Sequence, residues 1–139
     1  ELYEVINKKY QAVGIGVCDN ITVDKINILQ ASFLAMKKAL GQIKQKPDLI
    51  ILDGKFKIPN LSIAQAAIIR GDETIFSIAA ASIIAKVARD RLMMLMHQIY
   101  PNYGFNLHKG YGTKLHLARL RQFGPCPIHR LSFKSVRTD

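Results

Sequence analysis

Two aspartates follow apolar runs that are typical of strands. Asp53 comes directly after the run 49–52, and Asp72 comes just after the run 64–69. Ligands of open α/β sheets bind at the carboxyl ends of strands, so we expect the two carboxylates to converge. Converging carboxylates repel each other and are tolerated when a divalent cation lies between them. Oxygen ligands of this kind select Mg²⁺ or Mn²⁺ rather than zinc. A local turn bond for Asp53 and a helix N-terminus role for Asp72 are the alternatives.

A tyrosine stands between two glycines in the segment HKGYGT, residues 108–113. The glycines let the backbone approach a ligand closely, so the ring could stack on a base or sugar. It could also reach the 2′-hydroxyl that distinguishes RNA from DNA. The flanking lysines could contact phosphates, and the threonine could cap a helix whose first amides favour an anion. A tyrosine packed in a glycine-rich loop is the alternative. The predicted substrate-binding residues of this segment are Lys109, Gly110, Tyr111, Gly112, Thr113 and Lys114, and three residues of a polar stripe elsewhere in the chain, Ser82, Lys86 and Arg89, complete the predicted set.

A polar stripe runs along an otherwise apolar segment. Ser82, Lys86 and Arg89 recur at the spacing i, i+4, i+7, which places them on one face of a helix. We expect this helix to run through the core, where a polar stripe needs partners. The stripe could face a metal-bound phosphate, or its members could bond to Asp90 or to nearby carbonyls.

Apolar periodicity predicts an α/β chain with a strand–helix–strand pattern near its beginning. The apolar run 49–52 is expected to be a strand buried on both faces. Thr22 is expected to cap the first long helix, and Pro47 is expected to stop it. The predicted helices are 1–9, 23–45, 74–99 and 114–123, the predicted strands are 11–18, 49–52 and 64–69, and the predicted loops are 54–62 and 101–111.

The charge is strongly basic and unevenly distributed. Twenty Lys and Arg residues stand against ten Asp and Glu residues, which gives a net charge of +10. From residue 91 to residue 138 there is no acidic residue, while the same span holds eight Lys and Arg residues. A polyanion would relieve the self-repulsion, and nucleic acid is the first candidate. A generally basic protein is the alternative.

Other features narrow the class of protein. No apolar run approaches the roughly 18 residues of a membrane helix, so no membrane partner is expected. No secretory signal opens the chain, and Cys18 and Cys126 lie far apart, which favours reduced thiols in a cytoplasmic protein. The four histidines lack the paired spacing typical of zinc sites.

Four segments resemble the bacterial ribonuclease HII family. They are INILQASFLAMKKAL, LIILDGK, RGDETIFSIAAASIIAKVARDRLM and YPNYGFNLHKGYGTKLHLARLRQFGPCPIHRLSF, and the match covers nearly the whole chain from residue 26 to residue 133. The resemblance implies a ribonuclease H-like fold, with a mixed sheet flanked by helices. It implies a hydrolase, an endonuclease that cuts the RNA strand of RNA–DNA hybrids and incises at ribonucleotides embedded in duplex DNA.

The resemblance also implies roles for particular residues. The family uses four acidic residues and two divalent ions, Mg²⁺ or Mn²⁺, for metal-assisted phosphodiester hydrolysis. Asp53 and Asp72 match two of these acids and would be catalytic metal ligands. Tyr111 matches the family tyrosine that senses the ribonucleotide junction. Arg70 stands where the family usually has lysine.

The chain departs from the family pattern at its beginning. The family's first strand carries an Asp-Glu-Ala-Gly-Arg-Gly motif with the other two acids, and neither this motif nor the Ser-Lys-Lys segment after it is present. We therefore expect a fold that is incomplete at the N-terminus. Residues 1–100 would form the C-terminal part of the catalytic domain, and residues 101–139 a basic substrate-binding loop with a C-terminal helical segment.

This departure leaves alternatives for function and assembly. A catalytically incomplete nucleic-acid-binding fragment is the alternative to an active nuclease. The intact enzyme is expected to be a monomer, whereas the truncated chain could self-associate through an exposed sheet edge.

Overall fold

The computed structural model describes residues 2–136. They divide into two compact units. The first comprises the described residues up to Val17 together with Ser32–Val87, and the second comprises Cys18–Ala31 together with the described residues from Ala88 onward. The predicted α/β class is confirmed. The predicted division near residue 100 stays a prediction.

The sheet of the first unit contains, among the described residues, two parallel strands, β1 (Leu49–Asp53) and β2 (Ala64–Ile68). Both were predicted. Their register pairs Leu49 with Ala64 and Asp53 with Ile68. The prediction that β1 is buried on both faces is wrong: Leu52 is buried, but Leu49, which points to the opposite face of the sheet, is exposed.

The strand predicted at residues 11–18 is wrong. This segment has no strand hydrogen bonding in the structure. Its polar backbone groups instead bond to side chains that follow or belong to the next helix. The Ile15 backbone amide donates to Gln42 Oε1 (3.1 Å), Gln42 Nε2 donates to Ile15 O (2.6 Å), and Lys38 Nζ donates to Val17 O (3.0 Å). The predicted strand–helix–strand unit therefore lacks its first strand.

Two short polar side chains shape the first long helix. Helices α1 (Leu2–Lys9) and α2 (Asn20–Gly41) correspond to the first two predicted helices. Asp19 caps α2, since its Oδ1 accepts from the Thr22 amide at 2.8 Å, so the prediction of Thr22 as the cap is wrong. At Asn27 the backbone leaves the helical conformation (φ 66°, ψ 166°), and Asn27 Oδ1 accepts from the Gln30 amide at 3.1 Å.

The remaining elements refine the predicted order. A short helix α3 (Gly71–Thr74) and the extended residue Ile75 precede α4 (Phe76–Ile99), where one helix beginning at residue 74 was predicted. The predicted loop 101–111 contains a 3₁₀ turn (Pro101–Tyr103) and a one-turn helix α5 (Phe105–His108). Helix α6 (Lys114–Phe123) has the predicted bounds.

Each unit has its own apolar core. The first unit has two clusters, one around Ile6, Ala80 and Ile84 and one around Phe33, Leu52 and Ile58. The second unit is built around Phe105, which is 1% exposed and packs with its neighbours Met93, Tyr103 and Cys126. Among the described residues, no helix is long and apolar enough to cross a membrane.

Candidate active site and nucleic-acid interface

The first unit places both predicted acids at one edge of its sheet. Asp53 is the last residue of β1, and its partner in the register, Ile68, is the last residue of β2. Because the strands are parallel, their carboxyl ends open at the same edge. Gly54, with a φ of 99°, lets the chain turn away directly after Asp53. Asp72 lies in α3, four positions beyond the end of β2.

A hydrogen bond connects Asp53 to the turn that carries Asp72. Asp53 Oδ1 accepts from the Gly71 amide at 2.9 Å, so the carboxylate at the end of β1 holds the residue directly before Asp72. Gly71 is buried, and a Cβ built on it would lie 2.6 Å from Ile78 Cδ1, which explains why this position is a glycine. This bond differs from the alternative interpretation of Asp53, a local turn bond, because its partner lies 18 residues away along the chain.

The turn that carries Asp72 is held from its other side as well. Arg70 adopts a left-handed conformation (φ 55°), and its carbonyl accepts from Thr74 Oγ1 at 3.2 Å. Its guanidinium binds both carboxylate oxygens of Glu73, at 2.9 and 2.6 Å. Such an exposed ion pair contributes little stability. It does occupy Glu73, so Asp72 is the acid of this turn that remains a candidate ligand.

The two carboxylates have the donor chemistry of a hard-cation site. Both are exposed side chains with oxygen donors, which suit Mg²⁺ or Mn²⁺. Asp53 uses one oxygen toward Gly71 and keeps the other for a ligand. Within residues 2–136 no group of three or more His, Cys, Asp and Glu side chains is arranged to hold a metal ion. The described residues thus offer two carboxylates, Asp53 and Asp72, as candidate ligands.

The second unit presents Tyr111 as predicted, outward from a glycine loop. The ring is 54% exposed, which does not fit the alternative of a tyrosine packed in the core. Gly110 adopts a φ of 83°, a conformation that favours glycine. Arg89 of α4 lies beside this loop: its guanidinium carbon is 5.6 Å from the centroid of the Tyr111 ring, within cation–π range. Arg89, Gly110 and Tyr111 therefore form one surface.

Residues flanking the tyrosine behave differently from one another. Thr113 caps α6, as predicted, because its Oγ1 accepts from the His116 amide at 3.2 Å. Lys114 is exposed at the first position of α6. Lys109 Nζ donates to the Asn106 carbonyl and lies 3.3 Å from Met94 Sδ, so a phosphate contact requires it to leave these partners. Gly112 is exposed, and a Cβ built on it would meet nothing within 4 Å.

The polar stripe of α4 does not lie in a core. Ser82, Lys86 and Arg89 are all exposed, so the expectation of a helix that is buried along this face is wrong. Ile84, a buried apolar residue of α4, lies on another face, whereas Ile78, which is also buried, lies one turn before Ser82 on the same face as the stripe. Ser82 Oγ donates to the Ala79 carbonyl at 2.8 Å, the internal bond that was the alternative for this stripe. Ser82 and Lys86 belong to the first unit, and Arg89 belongs to the second.

Three buried histidines of the second unit were missed as functional candidates. His108, His116 and His129 lie directly behind the Tyr111 loop and hydrogen-bond to it or to one another. The available signal was position: His108 and His116 flank Tyr111 at −3 and +5. These residues lack the spacing of metal ligands, so that spacing does not identify them.

Comparison with known proteins identifies the family of this chain. The family model described as Ribonuclease HII matches residues 1–136. The chain is 52% identical over 137 residues to ribonuclease HII of Geotalea daltonii, covering 99% of this chain and 63% of the relative. It is 49% identical over 136 residues to ribonuclease HII of Geobacter metallireducens, covering 98% of this chain and 63% of the relative. It is 50% identical over 133 residues to ribonuclease HII of Caldicellulosiruptor bescii, covering 96% and 64%. The chain thus spans a little under two thirds of the length of these relatives, and it belongs to the ribonuclease HII family.

Proposed function

We propose that this protein is an endoribonuclease that cleaves the RNA strand of RNA–DNA hybrids and cuts at ribonucleotides embedded in duplex DNA. Family membership supports this activity. The observation that carries the proposal is the hydrogen bond from the Gly71 amide to Asp53, because it brings the turn of Asp72 to the end of β1. Both cysteines are free thiols, which fits the cytoplasmic location that we infer.

The carboxylates of Asp53 and Asp72 would hold divalent cations. The family is generally dependent on divalent metal ions, and we propose Mg²⁺ or Mn²⁺ here because both donors are carboxylate oxygens. Bound cations would supply activation of water and stabilisation of the leaving 3′ oxygen. The part of the two aspartates is to place negative oxygen donors at the sheet edge. The bond to Gly71 keeps Asp53 oriented without consuming its second oxygen.

The second unit would read the substrate. An exposed Tyr111 ring can stack on a base or sugar, and its hydroxyl can reach a ribose 2′-hydroxyl. Arg89 beside the ring adds positive charge for a phosphate. Lys109 and Lys114 extend that charge on either side, and the remaining loop residues, Gly110, Gly112 and Thr113, shape the backbone. On α4, Ser82 and Lys86 offer further exposed contacts to a nucleic-acid strand.

Cleavage of defined duplexes tests the proposal. A 5′-labelled duplex DNA with one ribonucleotide is incubated with the full chain and Mg²⁺ or Mn²⁺, beside the same duplex made only of DNA. We expect a cut at the ribonucleotide alone, and we expect Asp53→Asn to abolish it while binding persists. Asp48→Asn, an exposed aspartate just before β1, is the matched control and is expected to cut normally. Binding without any cut would instead identify a noncatalytic nucleic-acid-binding protein.

The tyrosine has a test of its own. Tyr111→Phe keeps the ring and removes the hydroxyl, whereas Tyr111→Ala removes both. If stacking dominates, Phe retains binding and Ala loses about 1–3 kcal/mol of binding free energy. If the hydroxyl reads the ribose, both variants lose the preference for the ribonucleotide duplex over the DNA duplex. Wild-type affinity together with an unchanged ribonucleotide preference in both variants would contradict the assigned role.

A further inference from the structure

Three imidazoles stack behind the Tyr111 loop, and we call them the histidine cluster: His108, His116 and His129. All three side chains are buried. The rings of His108 and His116 lie parallel, with centroids 4.2 Å apart and an interplanar angle of 11°. The ring centroids of His116 and His129 are 5.4 Å apart. The ring of Phe105 packs against all three imidazoles, edge-on to His108 and His116 and tilted to His129.

The hydrogen bonds of His116 and His129 determine where their protons lie. A carbonyl oxygen can only accept, so His116 Nδ1, 2.9 Å from Tyr111 O, must carry the proton. His116 Nε2 is then unprotonated and can only accept, so His129 Nε2, 3.1 Å away, must donate to it. His129 Nδ1 is in turn a lone pair. It accepts from the Cys126 amide at 2.9 Å and lies 3.1 Å from Cys126 Sγ.

The hydrogen bonds of His108 also determine its tautomer, which is opposite to that of His116. The Gly110 amide donates to His108 Nδ1 at 3.1 Å, so this nitrogen is the lone pair. His108 Nε2 carries the proton and donates to Tyr103 O at 2.8 Å. The two stacked rings thus bind the backbone before and after the Cα of Tyr111: His108 accepts from Gly110 N, and His116 donates to Tyr111 O.

We propose that the histidine cluster is a set of positioning residues that orders the Tyr111 loop only while all three imidazoles are neutral. Every ring nitrogen has a partner, and each ring is needed once as donor and once as acceptor. A proton added to His116 or His129 makes two N–H donors face each other, so one hydrogen bond is lost. A proton added to His108 Nδ1 faces the N–H of Gly110, and that hydrogen bond is lost as well. Protonation therefore releases the loop that would read the ribonucleotide. This inference rests on the proposed function of Tyr111.

The surroundings of the cluster favour the neutral form. Burial lowers the pKa of His116 and of His129, and neighbouring imidazoles lower both further. Other titratable or charged groups around the cluster are Tyr103, Cys126, Arg89, Arg130 and Lys109, which follows His108 in the chain. Burial raises the pKa of Tyr103 and of Cys126, so both stay uncharged. Arg89 lies beside Gly110, and Arg130 follows His129 and interacts with Asp24, so the adjacent charges are mainly positive.

Nitrogen-detected or long-range ¹⁵N–¹H NMR of the histidine rings tests the proton positions without any substrate. At pH 8 we expect one proton on Nδ1 of His116 and one on Nε2 of each of the other two. Because burial lowers the pKa of His116 and of His129, these two rings should stay neutral down to about 6.5, the ordinary pKa of histidine. A different tautomer at any of the three, or a protonated His116 or His129 at pH 7, would overturn the inference. A wild-type protein with these tautomers but no preference for ribonucleotides would instead count against the proposed function.

Two substitutions at one position test the positioning role. His116→Asn keeps a donor at the place of Nδ1, whereas His116→Gln moves the amide to the place of Nε2. The readout is the ratio of affinities for a duplex with one ribonucleotide and the same duplex of DNA. We expect Asn to keep this ratio within about threefold and Gln to lower it by roughly tenfold, since Gln leaves Tyr111 O unpaired. His97→Gln, a histidine outside the cluster, is the matched control and is expected to keep the wild-type ratio.

The remaining outcomes are also decisive. Equal losses in the Asn and Gln variants would mean that the Tyr111 contact is not what matters, and the inference fails. If either variant does not fold, the wild-type pH profile replaces it. The affinity ratio is then expected to be constant at neutral pH and to fall several-fold as the pH drops through the lowered pKa values of His116 and His129. A ratio that stays constant down to the pH at which the protein unfolds would also end the inference.

Discussion

Replacing Asp53 by alanine and by asparagine separates its two tasks. In the structure its Oδ1 accepts from the amide of Gly71, which is buried. Alanine leaves that amide without its partner and also removes the carboxylate. Asparagine offers a neutral oxygen at the same place, so the bond to Gly71 persists while the charge is lost. The two variants should therefore differ in stability and agree in the loss of cation binding.

The expected magnitudes follow from the bond's surroundings. Leaving a buried backbone donor unpaired costs about 1–3 kcal/mol, and because Asp53 itself is exposed, water can partly replace it. We therefore expect Asp53→Ala to lower the free energy of unfolding by about 1 kcal/mol. At this chain length that corresponds to a decrease of roughly 3–5 °C in Tm. Asp53→Asn should cost less than about 0.5 kcal/mol, the share that the charge adds to an exposed bond.

Urea unfolding followed by circular dichroism measures the first quantity, and calorimetric titration with Mn²⁺ measures the second. Asp48→Ala and Asp48→Asn serve as controls, because Asp48 is also exposed near β1 but precedes the strand. If Asp53→Ala unfolds at the wild-type urea concentration, the bond to Gly71 does not anchor the turn. If Asp53→Asn binds Mn²⁺ as the wild type does, this carboxylate is not a ligand.

Two further expectations concern the second unit. Thr113→Ala should cost about 1 kcal/mol of stability through loss of the α6 cap, whereas Thr113→Ser should be nearly neutral in the same urea experiment; equal stability of both variants would contradict the cap. For Asp24, hydrogen bonds from the Ser132 side chain and amide lower its pKa, so the folded state holds the charged form more strongly than the unfolded state does. The stability that it contributes is present above pH 4 or so and is lost as pH falls through the lowered pKa, and Asp24→Asn should flatten the acid limb of a stability–pH curve. An acid limb identical to that of the wild type would refute this.

Local signals in the sequence were sufficient where structure is decided locally. Helix α6 has the predicted bounds because Thr113 caps its start and Gly124 ends it. The two strands were predicted because short apolar runs ended in turn residues. Asp53 was singled out because it lies between such a run and a glycine, and it does lie at the end of β1.

Prediction failed where a segment's partner lies far along the chain. Residues 11–18 have the alternation of a strand, but this pattern only favours extended backbone and does not specify what pairs with it. The partner is the Gln42 side chain, which makes both hydrogen bonds that a neighbouring strand would make to Ile15. A Cβ built on Gly16 would overlap the Ala35 carbonyl oxygen, so glycine allows this close approach to α2.

The same reasoning explains why the Gly71 bond was not anticipated. A backbone amide is present at every position except proline, so nothing in the sequence marks the one that Asp53 accepts from. The glycine at 71 is visible, but its reason is the packing of Ile78 against it, which depends on how α4 begins.

Histidine suits the space behind a recognition loop for a general reason. A loop that exposes its one ring between glycines has few side chains with which to satisfy its own buried amides and carbonyls, and unpaired ones are costly. A neutral imidazole supplies one donor and one acceptor on a rigid apolar ring, so it can pair backbone groups of both kinds without burying a charge. His108 and His116 do so at Gly110 and Tyr111, the positions that hold the tyrosine outward. These hydrogen bonds form only when each imidazole carries one proton, on the nitrogen that donates. The packing of the loop is therefore sensitive to pH.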